Sequence, residues 1–235
     1  MLITLFILLM LNLPVFADGI YKPNEYHFNS DDKSAKILFI LDYSNSMSEY
    51  LENGSKVDLM IMTMAKILSL IDSNISVGLR VYGHKTGFTP LEACRASSLL
   101  VPIAKGVNSD ITNALRRTKP KGMTPITYSL KQAVKYDFLG VSGPKHIILL
   151  TDGGENCDES PCEYIMDLVK YRRDISIDVI AFNINDKDDL SQLECVALVS
   201  SGKFYTANTA AELAKSLNNS INRQKQVEAK IITNY

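Results

Sequence analysis

Between Lys36 and Asp42 the chain runs Ile-Leu-Phe-Ile-Leu without a polar interruption. Five consecutive apolar residues do not suit a strand with one wet face, because successive side chains point to opposite sides. They suit a strand covered on both faces, as in a parallel sheet flanked by helices. Residues 145–151 repeat the pattern, and residues 175–183 add a third run of Ile, Val and Phe. Further strands are predicted at 75–82, 97–103 and 203–206.

The segments between them carry helical periodicity. Residues 57–71, 109–118, 125–136, 161–172, 190–199 and 210–222 space their apolar side chains for one helix face and use good helix formers. Pro125 suits the first turn of its helix. Strands alternating with helices imply an α/β fold with a doubly wound, Rossmann-like, mostly parallel six-stranded sheet. In such sheets ligands bind beyond the carboxyl ends of the strands, where strand order reverses.

Residues 1–17 contain no charged side chain, and 1–13 are almost wholly apolar. The run is short for a membrane span and fits the core of a signal peptide, with cleavage expected after Ala17. No Lys or Arg precedes it, so an uncleaved anchor or a buried helix is the alternative. Residues 18–34 read as a polar leader, 35–222 as the domain, and 223–235 as a tail that extends the last helix or frays. No later stretch is apolar enough to cross a bilayer. Export is therefore expected, to the periplasm, the cell surface or the medium.

Lys plus Arg total 25 against 26 for Asp plus Glu, a balance that leaves no electrostatic footprint for nucleic acid. The cysteines are Cys94, Cys157, Cys162 and Cys195. An even number in an exported chain favours disulfides. The short Cys157–Cys162 spacing suggests a local bridge, which would leave Cys94 with Cys195. A zinc site is the rival reading, but no His stands at ligand spacing.

Three polar segments follow the predicted strands or open the helices. Asp42-Tyr43-Ser44-Asn45-Ser46 ends the first strand, Thr151-Asp152-Gly153-Gly154 ends the fourth, and Gly122-Met123-Thr124-Pro125 precedes a helix. All three should open on one rim of the sheet. Carboxylates and hydroxyls are hard oxygen ligands, suited to Mg²⁺, Ca²⁺ or Mn²⁺. Two carboxylates would leave such an ion neutralised and one coordination position open to an outside carboxylate. Each segment alone has a plainer reading, since Asp42 and Ser44 can cap the following turn and Thr-Asp-Gly is a common turn.

Together, in this order, Asp42-x-Ser44-x-Ser46, Thr124 and Asp152-Gly153 resemble the metal-ion-dependent adhesion site of von Willebrand factor A-type domains. Tyr82-Gly83-His84, Gly122-x-Thr124-Pro125-Ile126 and Thr151 to Cys157 resemble the exported bacterial branch. The resemblance implies that Ser44, Ser46 and Thr124 ligate the metal directly. Asp42 and Asp152 would act directly or through water. Mg²⁺ is the expected cation, with Mn²⁺ or Ca²⁺ as substitutes, and the partner is expected to be a protein offering a carboxylate. Thr127 is the poorer hydroxyl because it would fall inside the helix. His84 and Glu155 read as structural and solvated groups, while Tyr43 and Asn45 are candidates for shaping partner choice.

An enzyme is the alternative from another class, for instance a metal-dependent phosphoesterase. It would need a nucleophile or activated water, a base and phosphate-binding groups. The sequence carries no Gly-x-Ser-x-Gly elbow, no Walker loop and no paired-metal His cluster. A third reading is a structural module with a vestigial metal site.

Overall fold

The computed structural model describes residues 34–233, with side chains through Arg223. The expected signal segment, and the leader as far as residue 33, lie outside the described residues.

Six strands build the central sheet: β1 Lys36–Asp42, β4 Ser76–Tyr82, β5 Ser97–Ala104, β6 Lys145–Thr151, β7 Ile175–Phe182 and β8 Phe204–Ala207. Their order is β5-β4-β1-β6-β7-β8. Five are parallel, and β5 at one edge is antiparallel to β4, with register shifts that bend it. Strands β2 Tyr50–Leu51 and β3 Gly54–Ser55 form a separate small hairpin that the sequence pattern does not reveal. Two residues per strand are too few to show alternation.

The unbroken run in β1 is covered on both faces, as its composition requires. Ile37, Phe39 and Leu41 enter one core with α1 Lys56–Leu70, α3 Asn108–Arg117 and α7 Ala210–Thr233. Leu38 and Ile40 enter the other with α4 Ile126–Gln132, α5 Pro161–Leu168 and α6 Lys187–Val199. The one-turn helix α2 Pro90–Ala93 lies in the β4–β5 connection.

Helix starts follow local chemistry. Ser55, Thr89 and Ser160 each accept from the backbone N–H three residues on, where Asp58, Glu92 and Glu163 stand. Asp186 caps α6 by accepting from Asp188 and Asp189. The helix expected at 125–136 is instead α4 followed by a π-turn at Ala133–Asp137. That turn brings Asp137 to Arg80, where the two carboxylate oxygens accept from Nε at 2.6 Å and Nη2 at 2.7 Å. A buried bidentate pair of this kind outweighs helical regularity. Helix α7 continues to Thr233, so the segment after residue 222 extends the last helix, one of the two outcomes expected for it.

The disulfides correct the sequence expectation. Cys94 pairs with Cys157 and Cys162 with Cys195, with Cα separations of 5.5 and 5.6 Å. The reason is the helix that Pro161 opens. Cys162 sits in its first turn, packed towards α6 and Cys195, whereas Cys157 remains in the loop beside the end of α2. With all four described cysteines in disulfides, the rival zinc reading loses its thiolates. Among the described residues no helix is long and apolar enough to cross a membrane.

Candidate metal centre

The chain passes from β1 to β4 on one side and later returns to β6 on the other, so strand order reverses beside β1. Asp42 is the last residue of β1, and Asp152 is the first after β6. The switch point therefore places the two carboxylates at neighbouring strand ends.

Three loops are laced together there by backbone bonds. Ser44 bridges to Gly122, and Asn45 N–H donates to the Gly122 carbonyl at 3.0 Å. The N–H groups of Lys121 and Gly122 donate to the Gly83 carbonyl at 3.0 and 2.7 Å. Such close approach requires glycine. Gly83 has φ +71°, and a Cβ there would stand 2.5 Å from Ser44 N; a Cβ on Gly122 would stand 2.3 Å from the Lys85 carbonyl oxygen.

On this frame the oxygens converge. Ser46 Oγ donates to Asp152 Oδ1 at 2.7 Å, across 106 residues of chain. Ser44 Oγ lies 3.1 Å from Ser46 Oγ. Ser44 N–H donates to Asp42 Oδ1 at 2.6 Å, so the plain turn-capping reading of Asp42 is also realised. Asp42 Oδ2 accepts from Tyr82 at 3.1 Å. The Thr151 hydroxyl stands 2.8 Å from Asp42 Oδ2 and 2.7 Å from the Gly153 carbonyl, and its single proton serves one of them at a time. Thr124 is buried two residues beyond Gly122, and its N–H donates to Asn156 Oδ1 at 2.7 Å. The Thr124 hydroxyl makes no hydrogen bond among the described residues. All five sequence-predicted residues thus lie on one rim. Ser44, Ser46 and Asp152 touch directly, and Asp42 and Thr124 join them through backbone.

The electrostatics fit a cation. Burial, with the Asp152 charge second, raises the Asp42 carboxyl to about 6. Lys56, the first residue of α1, is almost fully buried and lies 3.0 Å from Asp152 Oδ2 and 2.8 Å from Glu49 Oε2. Burial alone would lower the Lys56 pKa, but its bonds to Glu49 and Asp152 outweigh that and hold it above the usual value. Asp152 is therefore divided: one oxygen faces the serine hydroxyls and the other an ammonium. No group of three or more His, Cys, Asp or Glu gathers among the described residues, so the carboxylates of Asp42 and Asp152 need other oxygens beside them, and the nearby hydroxyls are such oxygens. Two carboxylates and three hydroxyls are the hard, oxygen-only chemistry that Mg²⁺ or Mn²⁺ accepts.

Several assignments change. Tyr43, expected to influence partner choice, is fully buried, and its hydroxyl donates to the Leu115 carbonyl at 2.9 Å. Asn45 is exposed at the rim. Glu155 is partly buried rather than solvated, and accepts from Thr127 N–H at 2.7 Å and Cys157 N–H at 3.0 Å. It holds the start of α4, as Asn156 holds Thr124. His84 contacts Ser98 Oγ at 3.0 Å, in keeping with its structural reading. Lys56 was not legible as part of the site: it stands fourteen residues from Asp42 in sequence and opens an ordinary amphipathic helix.

The chain belongs to the von Willebrand factor type A domain family, whose model matches residues 36–220. It is 27% identical over 185 residues to YwmC of Bacillus subtilis (strain 168), covering 77% of this chain and 80% of that protein. Among solved structures it is similar to proximal thread matrix protein 1 from the mussel byssus with a zinc-occupied MIDAS motif. That match has a TM-score of 0.61 and 22% identity, and covers 80% of this chain and 45% of the other. It is also similar to the pilus adhesin SpaC from Lactobacillus rhamnosus GG, with a TM-score of 0.64 and 14% identity, over 83% of this chain and 30% of SpaC. At these identities the structural likeness is one of fold.

Proposed function

We propose that this von Willebrand factor A domain is an exported binding module. It holds a divalent cation, Mg²⁺ first and Mn²⁺ or Ca²⁺ as substitutes, with Asp42, Ser44, Ser46, Thr124 and Asp152. The cation in turn takes a carboxylate from a protein partner. The observation that carries this reading is the contact of Ser46 Oγ with Asp152 Oδ1 at 2.7 Å, with Ser44 Oγ 3.1 Å further on. Hydroxyls and a carboxylate from loops far apart in sequence meet where ligands of this fold class bind.

Asp42 and Asp152 balance a dication, and Glu49 at 2.8 Å balances the buried ammonium of Lys56. The set is then neutral, and an incoming carboxylate would enter through the coordination position that the five side chains leave open. Two disulfides suit an oxidising compartment outside the cytosol. SpaC, a pilus adhesin of the same fold, gives a precedent for adhesive use. No catalytic step is required.

One observation favours a second reading. Lys56 already supplies Asp152 with a cation, so the module could stand without metal and serve structurally. Pull-downs from the native envelope separate the two. In the first reading, capture requires Mg²⁺, is reversed by EDTA, and fails with Asp42→Ala. Capture indifferent to EDTA and to that substitution would support the structural module.

A further inference from the structure

The rim around the candidate site is divided by charge. On the side of the β4–β5 connection and the α3–α4 loop stand Lys85, Arg95, Arg116, Arg117, Lys119 and Lys121, all exposed. None makes an ion pair among the described residues. Their placement next to the site is set by backbone. The Lys85 carbonyl lies against Gly122, and Lys121 N–H donates to the carbonyls of Tyr43 and Gly83, the neighbours of Ser44 and Tyr82. Arg116 and Arg117 close α3 just before the loop that carries Lys119 and Lys121. The opposite flank is acidic, with Asp186 at the end of the loop after β7 and Asp188 in the first turn of α6 both exposed.

Arg116 and Arg117 have a plain explanation, since cations at a helix C-terminus are favoured by its dipole. Lys85, Lys119 and Lys121 lie outside helices and have no such explanation. Lys85, Lys119 and Lys121, gathered by the backbone contacts of Gly83 and Gly122, repel one another, and an acidic ligand would relieve that cost. The near-zero net charge of the whole chain conceals this local asymmetry.

Building on the metal-dependent reading above, we propose that the partner's recognition element is an extended acidic segment. One of its carboxylates completes the metal site, and the carboxylates beside it lie over Lys85, Lys119 and Lys121. The acidic flank fixes the direction, because the same segment turned towards Asp186 and Asp188 would meet like charge.

Fluorescein-labelled tetraglutamate peptide, titrated in Mn²⁺ at low salt, tests this. The wild-type chain binds it, and Lys85→Gln/Lys119→Gln/Lys121→Gln weakens it by about tenfold, an effect that fades at high salt. Mn²⁺ affinity, measured separately by calorimetry, is unchanged in that variant. A control of equal charge change on remote helices and turns, Lys66→Gln/Lys170→Gln/Lys215→Gln, leaves peptide binding intact. No peptide binding by the wild type, equal losses in both triple variants, or no loss in the first would overturn the inference while leaving the metal site standing. Undiminished binding in EDTA would remove the metal reading and this inference together. Equal displacement by a DNA duplex, with or without Mn²⁺, would reduce the flank to a general polyanion surface and refute it.

Discussion

Lys56 Nζ stands 3.0 Å from Asp152 Oδ2, while Ser46 Oγ donates to the other oxygen of the same carboxylate at 2.7 Å. The Asp152 side chain is fully buried and that of Lys56 nearly so. Both belong to the region where a cation is proposed, so the ammonium and the metal share one anion. Removing the ammonium exposes how much of the Asp152 charge each one balances.

Lys56→Met leaves a buried carboxylate without its partner, a change that costs about 3 kcal/mol in comparable settings. The metal-free variant should therefore melt well below the wild type. Mn²⁺ should then restore more stability to the variant than it adds to the wild type, because the cation meets a less compensated Asp152. Calorimetric melting with and without Mn²⁺ checks this. An equal Mn²⁺-dependent rise in both proteins would contradict it.

Asn156 holds Thr124 through a single bond to its backbone N–H at 2.7 Å. Asn156→Ala should release that loop at a stability cost of about 1 kcal/mol, since one hydrogen bond is lost at an exposed residue. Metal affinity should fall several-fold, because the Thr124 hydroxyl loses its position. Mn²⁺ titration of the variant measures this, and unchanged affinity would remove Asn156 from the positioning of Thr124.

The disulfide pattern makes a direct chemical prediction. Proteolysis under non-reducing conditions should yield peptides joining Cys94 to Cys157 and Cys162 to Cys195, and none joining Cys157 to Cys162. Chain-entropy arguments give each bridge about 4 kcal/mol of stabilisation. Cys162→Ala/Cys195→Ala should destabilise the fold by about 2–4 kcal/mol yet leave metal affinity close to wild type, because that bridge joins α5 to α6 away from the ligands.

His146 is buried between Ser176 Oγ at 3.0 Å and Ser220 Oγ at 3.2 Å, with Asp178 3.5 Å away. Burial, with Arg223 second, lowers its pKa to about 3. Asp178 does not reverse this, since it is already engaged by Arg223 at 2.6 Å and by Ser220 at 2.7 Å. In the unfolded chain the imidazole takes a proton below about pH 6.5, while in the folded chain it stays neutral to about pH 3. Its contribution to stability is thus intact above pH 6.5 and declines as pH falls towards 3, by up to about 1.4 kcal/mol per pH unit. Urea melts of wild type and His146→Gln between pH 7 and 4.5, followed by circular dichroism, should show the difference in stability shrinking as pH falls. A constant difference would contradict the assignment.

Much of the fold was legible because the strands advertise their burial. Residues 36–42 and 145–151 are apolar without alternation, and both proved to be central strands covered on each face. The rim loops were legible because their polar residues follow directly on strand ends, where ligands bind in this fold class. What escaped detection arose from contacts between distant segments. The pairing of Cys94 with Cys157 depends on where α2 ends and α5 begins, which spacing alone does not encode. Tyr43 sits between Asp42 and Ser44 and reads as a rim residue, yet the alternation of the chain turns it inward to Leu115. Glu155 and Asn156 look like loop filler until Thr127 and Thr124 approach them from another loop. Lys56 carried no signal, because a single Lys at a helix start is ordinary and only the fold brings it to Asp152.

If Asp42, Ser44, Ser46, Thr124 and Asp152 hold a divalent cation, calorimetric titration of Mn²⁺ should distinguish the wild-type chain from Ser44→Ala/Ser46→Ala, which removes two hydroxyls without altering charge. One Mn²⁺ should bind per wild-type chain and none should be detected in the variant, with both giving the same circular dichroism spectrum. Equal affinity and stoichiometry in the two proteins would rule the site out.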